Sequence, residues 1–395
     1  MFFAFPWNSS QFDRFHSINS VSSHIFDIII TESPSSQIAS KSMFEKAHIY
    51  NQMGYPQRAI ETFELVVNQF PGSQEAQNAL KDLRNLYVDL GRVDDYVKFS
   101  KTVQGATPIA AGELDSLTYI SAERNFTRSN YKEAKTAFQN YLKQFKKGQY
   151  VTNAHYYLGR IAQNEKKNNE ALDQYAQAAS NRHHRFGQEA MQQAAALAYS
   201  LGKYELAFNN YKNLYELQSG TKKTDALYGL MRSSYRGKDY RTVLDYADKA
   251  LGGKPSNDIR LEMLYYKTKS KIELQGLDEA VSLLEELSSD THTEYGAEGN
   301  YLYCLYLYEY ALYAKCNERI LKFVQSGSQQ QYWIARCLIL LSDSYYAQGK
   351  QIEAKQYLLS LKQNYKVKND DIQTLIGERL QKIEAKDSIM HQVQQ

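Results

Sequence analysis

One arrangement of small and bulky apolar residues recurs along the chain every 36 to 38 residues, nine times in all. Each period holds a slot that is usually small, followed four residues later by a residue that is usually bulky, such as Phe63, Phe138 or Tyr175. Because four residues make about one turn of an α-helix, both positions lie on one helix face. The slot is occupied in turn by Ala59, Tyr96, Ala134, Ala171, Ala207, Val243, Ala280, Cys316 and Ala354.

A second small residue recurs twelve positions before that slot. Glycines such as Gly54, Gly202 and Gly349 lie between the two small positions, where the end of a helix favours a positive φ. Two antiparallel helices approach closely where both carry small side chains, so each period predicts a helix, a turn and a second helix. The second small position is occupied by Ala47, Ala122, Gly159, Ala195, Cys304 and Ser342.

These positions resemble the tetratricopeptide repeat, a helix-turn-helix unit of about 34 residues. The Trp position of that family is filled by other residues, and the units here are two to four residues longer. The resemblance implies an all-α, right-handed α-solenoid of about nine repeats that binds other proteins. The chain is also similar to large tetratricopeptide proteins of the bacterial cell envelope, especially those of Bacteroidota, which implies a periplasmic or envelope-associated location. The best-matching unit carries Ala47, Tyr50, Gly54, Ala59, Phe63 and Pro71.

The repeat pattern also sets the boundaries of the predicted segments. The sequence predicts an irregular or disordered segment over 1–37, the repeat array over 38–368, a capping helix over 369–386 and a frayed tail over 387–395. The segment 369–386 begins with three polar residues, 369–371, which can cap the first turn of its helix. Its apolar positions repeat at helical spacing, and they are Ile372, Leu375, Ile376, Leu380 and Ile383.

The first 40 residues are rich in Ser and Phe and lack the features of a secretory signal. Such a signal needs a basic start and an apolar core of roughly 7 to 15 residues. These residues also supply no polar capping helix, which the terminal repeat of a solenoid normally needs. We therefore expect the first repeat to be an interior one. The chain is then the C-terminal part of a longer array or has a misassigned start, and it can self-associate through that repeat.

The charge pattern argues against nucleic acid and anionic lipid as partners. The formal net charge is +3, from 47 basic and 44 acidic residues that are interspersed. No broad field of one sign results. No apolar stretch reaches the roughly 20 residues that a membrane helix needs, so the sequence predicts no transmembrane segment.

Motifs of catalysis and cofactor binding are missing from the sequence, which contains no phosphate-binding loop, dinucleotide fingerprint, zinc-protease motif or nucleophile elbow. His183 and His184 are expected to be a solvated pair in a loop. Cys304 and Cys316 occupy the two small slots of one unit and are expected to fill alanine-sized holes. A disulfide between them is the alternative, since closely packed helices permit it. The sequence therefore predicts a protein that is not an enzyme and needs no cofactor or metal.

Tyrosine is abundant, with 33 residues. In the resembled fold the first helix of each unit lines the concave face through positions three before and one or four after its small slot. Tyr gives a peptide partner large rigid contact area and a hydroxyl, although the same rings can instead pack between helices. The partner-binding set predicted in this way is Tyr119, Tyr156, Arg160, Tyr199, Tyr228, Arg232, Tyr235, Tyr265, Lys269, Tyr301, Tyr308 and Tyr346.

Three hypotheses of function follow from the sequence. The leading one is a non-catalytic scaffold that binds a partner protein or peptide on the concave face, within a bacterial envelope complex. The alternative is a structural module that continues or self-associates as a longer repeat array. A glycan-binding protein would also use aromatic stripes, but Trp usually leads there and the chain has only Trp7 and Trp333.

Overall fold

The small and bulky slots pack as helical hairpins in the computed structural model, which describes residues 22–104 and 108–393, with backbone alone over 386–393. All regular elements of these described residues are helical. The chain forms two compact units, Met1–Ala190 and Met191–Gln395. The boundary between them falls inside helix α10, Arg185–Ser200.

The first unit contains a short leading helix and four hairpins. The two helices of each hairpin pack against each other, and the first helices of the first three hairpins also contact in sequence order. A hairpin is therefore in contact with its neighbours along the chain. The helices are α1 (22–32), α2 (Gln37–Gln52), α3 (Pro56–Gln69), α4 (Gln74–Asp89), α5 (Val93–Ser100), α6 (Ala111–Thr127), α7 (Tyr131–Gln144), α8 (Val151–Asn164) and α9 (Asn168–Ala179).

The second unit repeats the same arrangement and ends in a single helix that packs on the last hairpin. One hairpin departs from the others, because a 3₁₀ turn over Asp278–Ala280 precedes a shortened second helix. The helices after α10 are α11 (Tyr204–Leu217), α12 (Gly220–Arg236), α13 (Tyr240–Gly252), α14 (Asn257–Gln275), α15 (Val281–Leu287), α16 (Glu294–Glu309), α17 (Tyr313–Val324), α18 (Gln331–Ala347), α19 (Gln351–Asn364) and α20 (Ile372–Val393).

The paired small slots mark the contacts between helices, as the sequence predicts. Ala47 and Ala59 are fully buried in one hairpin, and side chains with a polar atom bond across two others. The Ser342 hydroxyl donates to the carbonyl of Ala354 at 2.9 Å, and the Cys316 thiol donates to the carbonyl of Cys304 at 3.3 Å. A larger residue at these slots would hold the helices apart. The predicted fold class, an all-α array of tetratricopeptide-like hairpins, is confirmed.

Among the described residues, eight of the turns between consecutive helices share one geometry. A residue with positive φ follows the first helix, and the next backbone N–H reaches back to a carbonyl five residues earlier, as from Leu312 to Leu307 at 2.8 Å. This pattern satisfies carbonyls that the helix end leaves without partners. The positive φ falls on Gly54, Gly91, Ser129, Lys166, Gly202, Lys238, Ala311 and Gly349.

The two ends of the described chain differ from the predicted boundaries. Residues 22–32 form helix α1, where the sequence predicts an irregular segment, because Ile30 packs against the first core cluster. Residues 1–21 lie outside the described part. At the other end α20 begins at Ile372, whose N–H donates to Asp370 at 3.1 Å, and its backbone remains helical to Val393, into the predicted tail. None of the helices within the described residues has the length and apolar character needed to cross a membrane.

Candidate functional site

In the second unit, the first helices of successive hairpins lie side by side, so that α12, α14, α16, α18 and α20 each contact the next. Contacts between them join residues about one repeat apart, such as Arg336 to Tyr301 and Arg379 to Asp343. These helices therefore run in the same direction, and they share one face. The predicted positions of the second unit from Tyr228 onward lie on these helices.

Over α12, α14 and α16 the predicted cations are held by carboxylates of the next helix. Arg232 forms a bidentate ion pair with Glu262, with N···O distances of 2.8 and 2.6 Å. Lys269 pairs with Glu298 at 2.8 Å, and the Tyr265 hydroxyl donates to the same carboxylate at 2.8 Å. Burial opposes ionisation of Glu262, but its bond to Arg232 holds the pKa of the carboxyl below its usual value. These cations are thus engaged within the protein.

Two of the predicted rings on this part of the face pack against other rings. The Tyr235 ring stacks on Tyr266 with centroids 4.4 Å apart, and the Tyr265 ring lies 4.9 Å from that of Tyr295. Tyr199, at the end of α10, packs edge-on against Tyr204 at 5.6 Å. All three predicted rings are half-buried, and much of their surface is already used.

Three predicted rings are buried, so the expectation that they face an open groove is wrong for them. Tyr119, Tyr156 and Tyr228 are 3%, 6% and 5% exposed. Tyr119 and Tyr156 each lie three residues before a small slot, which is about 300° around the helix and so only about 60° from the hairpin contact. Tyr228 has the same spacing from Met231, the residue at the equivalent position of its repeat. That direction points the ring between neighbouring helices.

In the first unit these buried rings make specific contacts. Tyr119 stacks on Tyr150 at 4.3 Å and donates its hydroxyl to Glu123 at 2.6 Å. Arg160, the predicted cation of that unit, donates to the Tyr156 hydroxyl at 3.1 Å within its own helix. The predicted positions of the first unit therefore contribute to packing.

The remaining predicted rings lie near an open cleft between α16, α18 and α20. Its volume is about 520 Å³, within the range of ligand pockets in proteins. Tyr301 and Tyr308 line it, and Tyr346 lies close by, under the Lys382 ammonium at 5.4 Å. The full lining is Tyr301, Leu305, Tyr308, Arg336, Ile339, Leu340, Asp343, Leu375, Glu378, Arg379 and Lys382.

Arg336 lies at one end of the cleft and makes two short hydrogen bonds there. It donates to the Tyr301 hydroxyl at 2.8 Å and to Asp371 at 3.0 Å, and its guanidinium lies over the Tyr301 ring at 4.9 Å. Burial acts to lower the pKa of Arg336, but the bond to Tyr301 and the charge of Asp371 outweigh it, so the pKa lies above its usual value. The middle of the cleft is apolar, with Leu305 and Leu375 among its half-buried residues.

The other end of the cleft is charged and more loosely bonded. Arg379 donates to Asp343 at 3.4 Å and to Glu378 at 3.3 Å. These distances exceed the 2.7 to 2.9 Å of strong charge-assisted bonds. Burial raises the pKa of the Asp343 carboxyl, and the positive charges of Arg379 and Lys382 only partly offset that effect. This end therefore holds cations whose donors are incompletely used.

Sequence reasoning missed most of the cleft. The rule that selected Arg160, Arg232 and Lys269, one residue after the small slot, gives Leu305 and Asp343 in the next two repeats. Applied in full, it would have named both. Arg379 and Lys382 belong to the terminal helix α20, which has no slot pattern, and no signal in the sequence marked them.

The candidate chemistry of the cysteines and histidines resolves into structural roles. Cys304, Cys316 and Cys337 are buried free thiols, so the alternative of a disulfide is not realised. The Phe186 N–H donates to His184 at 3.2 Å in a local turn. Among the described residues, no group of three or more His, Cys, Asp or Glu side chains is arranged to hold a metal ion.

No protein-family model and no curated protein matches the chain. Several solved structures do match. The tetratricopeptide domain of P58(IPK) is 14% identical over 88% of this chain and 99% of its own, with a TM-score of 0.27. A tetratricopeptide repeat protein from Parabacteroides merdae is 11% identical over 86% of this chain and 97% of its own, with a TM-score of 0.27. A chain of the Naa15/Naa10 structure bound to HypK-THB is 12% identical over 94% of this chain and 72% of its own, with a TM-score of 0.33. Scores this low carry no argument, and the repeat architecture rests on the hairpins described above.

Proposed function

We propose that this protein is a non-catalytic scaffold that binds a partner protein or peptide in the cleft between α16, α18 and α20. The observation that carries the proposal is the contrast along the shared helix face. Over α12 to α16 the predicted cations and rings are engaged by their neighbours, whereas α16, α18 and α20 leave an open cleft with an apolar middle and charged ends. The envelope association remains part of the proposal, on the resemblance stated above.

The composition of the cleft supports peptide binding. Binding sites for peptides combine apolar and aromatic contact area with a few polar groups that fix orientation. Tyr301 and Tyr308 supply half-buried rings, Leu305 and Leu375 supply apolar surface, and the charged side chains stand at both ends. Such a site orders a segment of a partner without any chemical step.

Affinity capture with mass spectrometry tests the proposal. The wild type is compared with a Leu305→Ser, Tyr308→Ser variant, which removes apolar and aromatic surface from the cleft. The matched control is Leu312→Ser, Tyr310→Ser, which removes the same residue types from exposed positions in the turn of the same hairpin, outside the cleft lining. We expect a partner that the wild type and the control retain and the cleft variant loses. Equal capture by both folded variants would contradict the proposed site.

A second candidate function is self-assembly through the N-terminal helices α1 and α2. Ile25, Ile28 and Ile38 are 51%, 47% and 66% exposed, and exposed apolar patches mark interaction surfaces. Light scattering across protein concentration tests this candidate. We expect wild-type assembly that an Ile25→Ser, Ile38→Ser variant abolishes, and a wild type that stays monomeric at all concentrations would exclude it.

A further inference from the structure

We infer that the cleft selects a partner segment in which an acidic side chain stands next to a bulky apolar one, with Arg379 and Lys382 binding the carboxylate. The inference rests on the proposed function and specifies its ligand. Three observations carry it: the loose engagement of Arg379, the position of Lys382, and the apolar middle of the cleft.

Arg379 is bonded less tightly than Arg232, which lies on the same helix face. Arg232 is held by both oxygens of Glu262 at 2.6 and 2.8 Å. Arg379 instead makes single contacts of 3.4 and 3.3 Å with two different carboxylates. A guanidinium carries five N–H donors in a planar fork that suits a carboxylate. Arg379 therefore retains donors and a preference for an additional anionic group.

Lys382 lies three residues after Arg379 on α20, so both cations are on one face of the helix. Among the described side chains Lys382 contacts the Tyr346 ring at 5.4 Å rather than forming an ion pair. Two cations at this spacing repel each other. A carboxylate placed between them relieves that repulsion and gains bonds from both.

The apolar middle of the cleft fixes what stands beside the carboxylate. Leu305 on α16 and Leu375 on α20 are half-buried and line the cleft, while Arg379 and Lys382 lie farther along α20. A bulky apolar side chain seated against the two leucines thus brings the neighbouring residue of the partner toward the cations. Burial of that side chain supplies affinity, and the carboxylate supplies selectivity.

Asp343 and Glu378 compete for the same cations. When a partner carboxylate arrives, it meets the negative charge of Asp343, whose contact with Arg379 is long. An Asp343→Asn substitution removes that charge and leaves a side chain of nearly the same shape. It should strengthen the binding of acidic segments, whereas a purely structural role for Asp343 predicts weaker binding.

The test uses an array of ten-residue peptides with acetylated N-termini and amidated C-termini, probed with the full-length protein. Each peptide pairs Leu or Phe with Asp, Glu, Asn, Gln or Lys, and a parallel set leaves the C-terminus free. The variants are Arg379→Gln with Lys382→Gln, Asp343→Asn, and a charge-matched control, Lys362→Gln with Lys366→Gln, at two exposed positions outside the cleft lining.

We expect the wild type and the control to prefer peptides with Asp or Glu by about two- to fivefold over the amides, as one partly exposed charge interaction gives. The Arg379→Gln, Lys382→Gln variant should lose this preference, and Asp343→Asn should raise it. Should the double variant fail to fold, Lys382→Gln alone is expected to reduce the preference, because that side chain lies at the exposed rim.

The outcomes separate this inference from the proposed function. Peptide binding at the cleft without preference for acids would overturn the inference and leave the proposed function standing. A preference confined to free C-termini would overturn the assignment to an acidic side chain. A wild type that binds none of the peptides overturns the inference. Only equal partner capture by the Leu305→Ser, Tyr308→Ser variant and its control refutes the proposed function itself.

Discussion

Substituting Gly159 by Ala tests a close helix contact of the first unit. A Cβ atom at this position would lie 2.5 Å from Cε1 and 2.6 Å from Cδ1 of Tyr175. Normal contacts between carbon atoms are about 3.5 to 4.0 Å, so the ring would have to move by about 1 Å. Tyr175 is fully buried and its hydroxyl donates to Gln163 at 2.7 Å. The ring therefore cannot move without breaking that bond or displacing its neighbours.

Two effects of opposite sign set the magnitude. Overpacking a core typically costs about 1 to 3 kcal/mol, and the displacement of a fully buried, bonded ring belongs at the upper end of that range. Replacing Gly by Ala inside a helix contributes about 1 kcal/mol in the other direction. We therefore expect Gly159→Ala to lower the free energy of unfolding by about 2 kcal/mol.

Urea denaturation followed by circular dichroism gives the change in the free energy of unfolding, and hydrogen exchange over 151–179 localises it. Gly229→Ala should behave alike, because its Cβ would lie 2.5 Å from the Tyr211 ring. Gly377→Ala on α20 is the control, since its Cβ meets nothing within 4 Å. It should raise stability by about 0.5 to 1 kcal/mol. If Gly159→Ala stabilised the protein as Gly377→Ala does, the reasoning would be refuted.

Three further predictions follow from the turns, the ion pairs and the thiols. Ala311 has a φ of 56°. An Ala311→Gly substitution relieves the conformational cost of this backbone, about 1 to 2 kcal/mol, but loses about 0.4 to 1 kcal/mol because the unfolded chain becomes freer. It should therefore raise the free energy of unfolding, measured in urea, by about 0.5 to 1 kcal/mol. Gly349→Ala should lower it. Arg232 holds the pKa of Glu262 below its ordinary value of 4.5. The stability that this pair contributes is therefore complete above about pH 4.5 and is lost as the pH falls through the pKa of the folded state. Acid titration should destabilise the wild type more than the Glu262→Gln variant, and equal losses of stability would contradict the assignment. Burial raises the pKa of Cys316 to about 12. A colorimetric thiol reagent should therefore react slowly with the native protein and detect three thiols after unfolding. A rapid reaction with the native protein would show that this core opens.

The hairpin repeat was predictable because its causes act over short stretches of chain. The small slots lie twelve residues apart, and a solenoid repeat contacts chiefly its neighbours in sequence. Four of the turns were marked by glycine, as at Gly54 and Gly349. The same positive φ at Lys238 and Ala311 was not marked, because there the hydrogen bonds of the helix end impose the conformation on a residue that does not favour it.

Which positions of the helix face stay open was decided by the tertiary structure. Spacing from the small slot selected Arg232 and Tyr308 alike, but Arg232 meets Glu262 from the next repeat, whereas Tyr308 faces a cleft. The cations Arg379 and Lys382 come from a terminal helix outside the repeat pattern. The sequence by itself therefore determined the period, the hairpins and most of their turns. The exposure of each side chain depends on partners about 30 to 36 residues away, and a pattern read within one repeat does not contain them.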